Sequence, residues 1–371
     1  MKILLLSNAN SIHTKRWATS LAQRNIEICL FSLEKNEDME YEKFSNIIII
    51  DGGFQNNSSK DGEISKITLI QYLPKLLKVI KNFKPDIVHA HYATSYGLLG
   101  ALCGFKPFIL SVWGSDIYDF PKISFIHKLM IKFNLYRADE ILSTSHVMAL
   151  ETNKYTKKRI HITPFGIDLS KFRKIETNSF FSSEAIVIGT VKTLSSKYGI
   201  DYLIKAFKIV KEDNPSLQLK LMIVGEGEDK TKLVNLCENL DILNDVNFVG
   251  KVENYLVPNY INMMDIYVAL SNSESFGVAI IEASACEKPV VVSNVGGLPE
   301  VVANNETGFV VESKNPQEAA YTIEKLILDK SLRITMGKAG RERVKKLYDW
   351  EDNVDLVIGI YSKVNLNSMN S

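Results

Sequence analysis

Cysteine, tryptophan and histidine are scarce in this chain, and what there is of each is scattered. The four cysteines, Cys29, Cys103, Cys237 and Cys286, lie far apart with no C-x-x-C pair. That spacing excludes a zinc ribbon or a disulfide framework and leaves them as buried small apolar residues. No apolar run reaches the roughly 18 residues that a membrane-crossing helix needs. The opening strand, Lys2 to Ser7, is followed at once by Asn8, Asn10 and Ser11. The apolar centre of a secretion leader is therefore missing, and the chain is expected in the cytoplasm. Charge of one sign is lacking too: 44 Lys and Arg stand against 43 Asp and Glu, which argues against a nucleic-acid-coating surface. With 46% hydrophobic and 23% charged residues over 371 positions, the composition is that of a folded globular chain long enough for two domains.

The balance of charge hides an asymmetry. Residues 1–172 hold 22 basic against 16 acidic side chains, and residues 173–371 hold 22 against 27. Short β-branched runs alternate with amphipathic stretches from end to end, the pattern of βαβ units around parallel sheets. The front half places strands at Lys2 to Ser7, Glu27 to Leu33, Asn46 to Asp51, Asp86 to His91, Phe108 to Trp113, Glu140 to Thr144 and His161 to Pro164. After a polar seam, Asp168 to Glu184, strands restart at Ile186 to Val191, Leu217 to Val224, Val246 to Val249, Ile266 to Leu270, Pro289 to Ser293 and Phe309 to Val311. The expected architecture is α/β, with two Rossmann-like doubly wound domains at residues 1–170 and 171–349. A terminal helix follows at 350–371, its last residues, Asn365 to Ser371, frayed. Ligands of such sheets bind where strands feed into helix N-termini.

The segment Ser273-Glu274-Ser275-Phe276-Gly277-Val278 follows a strand and opens an apolar helix that carries Glu282. Gly277 allows close backbone approach, and the first-turn amides with the helix dipole favour an anion. Glu274 and Glu282 would flank that site from different depths; the plain alternative is a helix-start acid and a solvated face residue. Gly296-Gly297-Leu298-Pro299-Glu300 forms a second junction of this kind, readable also as a tight turn with Pro299 in the first helical position. A third follows the first strand of the back half and carries Lys192 and Lys197. Two loop lysines are usually only solvated. Facing a diphosphate, each would gain roughly 4 kcal/mol at about 4 Å and an effective dielectric near 20.

These ordered motifs resemble the nucleotide-sugar-binding domain of the retaining GT-B glycosyltransferases of family four. The resemblance covers about residues 160 to 350. It extends to Val224-Gly225-Glu226-Gly227, to Phe248-Val249-Gly250-Lys251-Val252 and to Pro164-Phe165-Gly166-Ile167-Asp168. It implies two domains facing a central cleft, with the terminal helix crossing back to the front domain. It also implies that Lys192, where the family usually has Arg, and Lys197 hold a donor diphosphate with the amides of Phe276 to Ala279. Glu274 would bind the donor sugar and Glu282 the ribose. Gly189, Gly225, Gly250, Lys251, Val252, Ser275, Phe276, Gly277 and Val278 would complete the donor site, the base resting near Gly250 to Val252. No cofactor or metal is implied; the nucleoside diphosphate sugar, UDP-linked by preference, is a co-substrate.

The front half is less legible. His13, Lys15 and Arg16 follow the first strand and are candidates to meet an acceptor, with ordinary first-turn residues as the alternative. His89-Ala90-His91-Tyr92 ends the fourth strand, and His91 is the imidazole expected beside the ligand, against a packing role. Trp113, in Ser111-Val112-Trp113-Gly114-Ser115-Asp116, stands where many members carry the histidine of His-Gly-x-Asp. An indole cannot take up a proton, which leaves Asp116 or His91 as proton acceptor or positioning group. Lys75 to Lys84 and Lys128 to Arg137 mix apolar residues with Lys at helical intervals, as ordinary surface helices do and as helices lying on an anionic membrane do.

The reading that follows is a retaining hexosyl- or N-acetylhexosaminyltransferase acting without metal on a glycan or lipid-linked acceptor, in surface polysaccharide or lipid-linked glycan synthesis. It would be cytoplasmic, at the inner face of the membrane where it makes contact. The rivals are a nucleotide-sugar epimerase of the same architecture and a non-catalytic binding relative. A pyridoxal-phosphate phosphorylase is remote, because no lysine stands out as a Schiff base.

Overall fold

The computed structural model describes residues 1–37, 39–54 and 69–369. The chain divides into two compact units, Met1–Pro164 with Asp352–Ser371, and Phe165–Glu351. The first is built on β1 (Lys2–Leu6), β2 (Glu27–Glu34), β3 (Ile47–Phe54), β4 (Ile87–His91), β5 (Phe108–Val112), β6 (Glu140–Ser143) and β7 (Ile160–Ile162). They form one parallel sheet in the order β3-β2-β1-β4-β5-β6-β7. The second is built on β8 (Ile186–Val191), β9 (Leu219–Val224), β10 (Val246–Gly250), β11 (Ile266–Ala269), β12 (Val290–Ser293) and β13 (Gly308–Val311), ordered β10-β9-β8-β11-β12-β13. Both units are Rossmann-like, and both sheets reverse direction of growth once, between β1 and β4 and between β8 and β11. A ligand crevice opens at such a reversal, where neighbouring crossovers leave to opposite faces.

Helices cover the sheets because strands such as β4, β5 and β11, buried along their whole length, need apolar cover on both faces. The helix Ile200–Asp213 shows how the sequence supplies it: Ile200, Leu203, Ile204, Phe207 and Val210 are buried, one stripe at helical spacing. They join Ile188, Leu221, Val268 and Val291 of the sheet in one core, where each large side chain contributes about 1.5–3 kcal/mol.

All thirteen expected strands are present, Ile186–Val191 with the expected ends and the others with shifted ones. The stretch expected at His161 to Pro164 is the strand Ile160–Ile162, since Pro164 brings no N–H to a ladder. The helix Trp350–Met369 takes in Asn365 to Met369 of the expected frayed tail, and Asn370 and Ser371 lie outside the described residues. One expectation is corrected. Cys103 is only half-buried, unlike Cys29, Cys237 and Cys286, because it ends the helix Ser95–Cys103 and its thiol turns back onto the Gly100 carbonyl.

Candidate functional site

In the second unit the loops after β8 and β11 leave the sheet at its reversal and bring together two residues far apart in the chain. Lys192 Nζ lies 2.5 Å from Glu274 Oε2. The side chains are only 11% and 13% exposed, so the pair is held largely out of water. Burial alone would lower the lysine's pKa; the Glu274 carboxylate and the Tyr267 and Tyr198 hydroxyls outweigh it and set it above the ordinary value. Lys192 is therefore a fixed cation. Its ammonium also stands 4.7 Å from the centre of the Tyr198 ring, and Lys197 stands 5.7 Å from the same centre, so the two lysines share one aromatic ring.

Backbone packing holds this arrangement. A Cβ on Gly296, whose φ is +49°, would lie 1.7 Å from the Glu274 carbonyl oxygen. The Gly297 N–H donates to that same oxygen. The Gly-Gly loop is thus a rest against which the Glu274 loop is set, and no other residue fits there. Gly225 does the same for Lys192: its Cβ would fall 2.0 Å from the Lys192 carbonyl oxygen, and its N–H donates to Gly250. Asn272 ties the β11 loop to the Ser196 and Lys197 carbonyls. Beneath them the Tyr267 hydroxyl bonds the backbone of Val191.

The other expected donor residues fall in different places. The helix Val278–Ala285 starts beside the Glu274 loop, and Gly277 caps it with φ 111°. The Ile280 and Ile281 amides donate to the Gly277 carbonyl, and those of Val278 and Ala279 have no acceptor within the helix. Glu282, half-buried on that helix, acts on the Tyr267 and Cys286 side chains through its charge. Ser275 is half-buried. Phe276 is core: its ring packs edge-on to Phe165 and Tyr348, so only its backbone faces the loop. Gly189 lies inside β8, the expected strand Ile186 to Val191, where a Cβ would strike Met264. Gly250 ends β10 with φ 88°, followed by exposed Lys251 and half-buried Val252.

In the first unit a cluster of rings occupies the reversal. His89 and His91, alternate residues of β4, share one face, their rings 4.6 Å apart. Trp113 lies 4.5 Å from His91 and 5.9 Å from His13. His89 is fixed at both nitrogens, to the Tyr361 hydroxyl at 2.6 Å and the Ser111 hydroxyl at 2.7 Å. His91 differs: it is 2% exposed, and its Nδ1 finds no hydrogen-bond partner among the described residues. Burial holds all three imidazoles neutral. It lowers His89 to about 3, His13 to about 4 with help from Arg16, and His91 well below the usual value with help from His89 and His13.

Asp116 corrects another expectation. It is fully buried and accepts from the backbone N–H groups of Ala93, Trp113 and Gly114. It staples the β4 and β5 loops together and has no face left for a proton of substrate. Lys15 is held by Glu40 at 2.9 Å. Arg16 lies against His13. The sequence reading missed Tyr198, Tyr267, Ser111 and Tyr361. Only the first two had a local signal, as aromatic residues beside the lysine loop and within the β11 strand. Among the described residues no group of three His, Cys, Asp or Glu is placed to hold a metal ion, and no helix is long and apolar enough to cross a membrane.

Comparison with known proteins bears on this geometry. The description of glycosyl transferases group 1 matches residues 171–343, and that of glycosyl transferase 4-like proteins matches residues 2–145. The chain is 31% identical to the capsular polysaccharide biosynthesis glycosyltransferase CapM of Staphylococcus aureus, over 77% of this chain and 80% of that protein. It is 27% identical to an N-acetyl-alpha-D-glucosaminyl L-malate synthase of Bacillus anthracis, over 81% and 82%. HepE of Anabaena, solved in complex with UDP, shares the fold with a TM-score of 0.80 at 18% identity, over 98% of this chain and 100% of that one.

Proposed function

Because the chain belongs to the glycosyl transferases group 1, we propose that it moves a hexose or N-acetylhexosamine from a UDP-sugar to an acceptor hydroxyl, keeping the anomeric configuration. The observation that carries this is the enclosed Lys192–Glu274 pair at the reversal of the second sheet, beside Lys197 and the start of the helix Val278–Ala285. Fixed cations and unpaired amides at that point suit a diphosphate. The complex of HepE with UDP supports uridine as the base, and the name of CapM supports a surface polysaccharide or other glycan as acceptor.

In this reading Lys192 and Lys197 neutralise the diphosphate while Glu274 accepts a hydrogen bond from the donor sugar beside its anomeric carbon. Glu282 binds the ribose. The bond from the anomeric carbon to the phosphate oxygen breaks as the acceptor oxygen bonds that carbon on the same face. The departing phosphate oxygen takes the acceptor's proton, so the products are UDP and a glycoside of unchanged configuration. The alternative, a carboxylate nucleophile of the kind used by retaining glycosidases, finds no support at Asp116, whose oxygens are occupied by backbone N–H groups. Catalysis then rests on stabilisation of the leaving diphosphate, and no metal is invoked. His91, with its free Nδ1 beside Trp113, is the acceptor-side group in this scheme.

Calorimetry with UDP, GDP and ADP, followed by turnover of the matching nucleotide sugars with and without glycan acceptors, tests the reading. UDP should bind most tightly, and sugar should be transferred with its anomeric signal unchanged in the product. Interconversion of two UDP-sugars without any acceptor would assign the protein to the epimerases instead, and UDP binding without turnover would leave a binding relative.

A further inference from the structure

The helix Phe125–Arg137 is apolar on two opposite faces. Ile131, Asn134 and Leu135 point inward, and the Asn134 amide donates to the Ala93 carbonyl. On the far side Phe125, Ile126, Leu129, Phe133 and Tyr136 are exposed, Phe125 and Tyr136 each by 73% and Ile126 by 68%. At about 100° per residue these five fall within a stripe roughly 100° wide, opposite the buried face. Ile123, 66% exposed in the short helix Phe120–Ile123 packed alongside, extends it. Monomeric soluble proteins rarely leave so continuous an apolar surface in water.

Charge identifies what covers it. From Phe120 to Ala138 the chain carries Lys122, Lys128, Lys132 and Arg137 and no acid. Lys128 and Lys132 run along one flank of the stripe and are exposed. Lys158, half-buried, sets its ammonium 5.6 Å from the Tyr136 ring and donates to the Tyr136 and Ala138 carbonyls at the end of the helix. Of the acids just outside the segment, Asp139 is paired with Lys106 at 2.5 Å and Asp119 is exposed, which leaves the cations in excess. A second copy docking through the same face would set these cations against each other. An anionic lipid surface would meet them with opposite charge while its acyl boundary took up the aromatic and aliphatic side chains. We propose that this face is a docking surface for an anionic bilayer, with Phe125, Ile126, Leu129 and Phe133 entering the interface, Tyr136 at its polar level and the lysines on the headgroups.

The proposal stands apart from the donor chemistry, which lies in the other unit. Flotation of the full chain with vesicles of phosphatidylcholine, alone or mixed with phosphatidylglycerol, tests it. The protein should float with the mixed vesicles, less so at high salt, and hardly with phosphatidylcholine alone. Each lysine near such a surface is worth about fivefold in partitioning, so Lys122→Glu/Lys128→Glu/Lys132→Glu should abolish binding. Phe125→Ser/Ile126→Ser should weaken it at least about tenfold. All these positions are exposed, and unchanged UDP affinity and circular dichroism will show that the variants fold. No binding to the mixed vesicles, or binding that both variants retain, overturns the proposal. So does a dimer seen by sedimentation that Phe125→Ser/Ile126→Ser dissolves while vesicle binding is absent.

Discussion

At the reversal of the first sheet, imidazoles packed beside an indole are kept neutral by burial, whereas at that of the second an ammonium and a carboxylate are locked together. The strand orders are alike, so the backbone does not explain the difference; the side chains at equivalent strand ends do. A neutral, half-aromatic site suits uncharged hydroxyls, and a site with fixed cations suits an anion. Two copies of one scaffold thus carry sites of opposite electrostatic character, which fits the proposed division between an uncharged acceptor and a charged donor.

The largest effect should come from breaking the ionic half of this contrast. Glu274→Ala should lower transfer by about 10³-fold while UDP binding, followed by calorimetry, survives. It should also cost about 3 kcal/mol of stability, since it leaves Lys192 buried without its partner. Unchanged turnover would remove Glu274 from the chemistry. Gly296→Ala tests the rest behind it. The new Cβ meets the Glu274 carbonyl in a left-handed backbone, so a loss of about 3 kcal/mol is expected in urea melts, with turnover falling too.

The neutral half is sharpened by pH. His89, lowered to about 3, and His91, lowered well below its usual value, bind fewer protons when folded than the roughly 6.5 of a free imidazole allows when unfolded. Stability is therefore whole above about pH 6.5 and falls as pH drops below it, by about 1.4 kcal/mol per pH unit for each such imidazole. Urea midpoints at pH 7, 6 and 5 should follow this slope, and His89→Gln should flatten it; a variant with the parent's slope would contradict the assignment. The smallest effect is expected at Lys197. Lys197→Ala should weaken UDP about tenfold, with the loss shrinking at high salt, and leave uridine binding nearly unchanged. Equal losses for both would place the lysine elsewhere than on a phosphate.

Much of this was legible in the sequence. The loops after β11 and β12 stood out because Gly277 and the Gly296-Gly297 pair meet backbone demands that glycine satisfies, and the loop after β8 because it carries Lys192 and Lys197; such features leave local marks. The first unit was harder to read. Asp116 looked like a proton acceptor because its residue type suits the task, yet three backbone N–H groups from two loops hold it. The exposed stripe of Phe125–Arg137 was visible only as a mixture of Lys and apolar residues, since a helix apolar on both faces has no clear one-sided period.

The sequence by itself determined where the strands and their turn glycines lie, because apolar periodicity and backbone conformation are set by neighbours a few residues away. It could not determine which side chains meet. Lys192 and Glu274 are 82 residues apart and His89 and Tyr361 are 272 apart. Their pairing depends on strand order and on the packing of the final helix. Those are decided only when the sheets assemble, because burial then leaves each polar group the choice of its one neighbour or none.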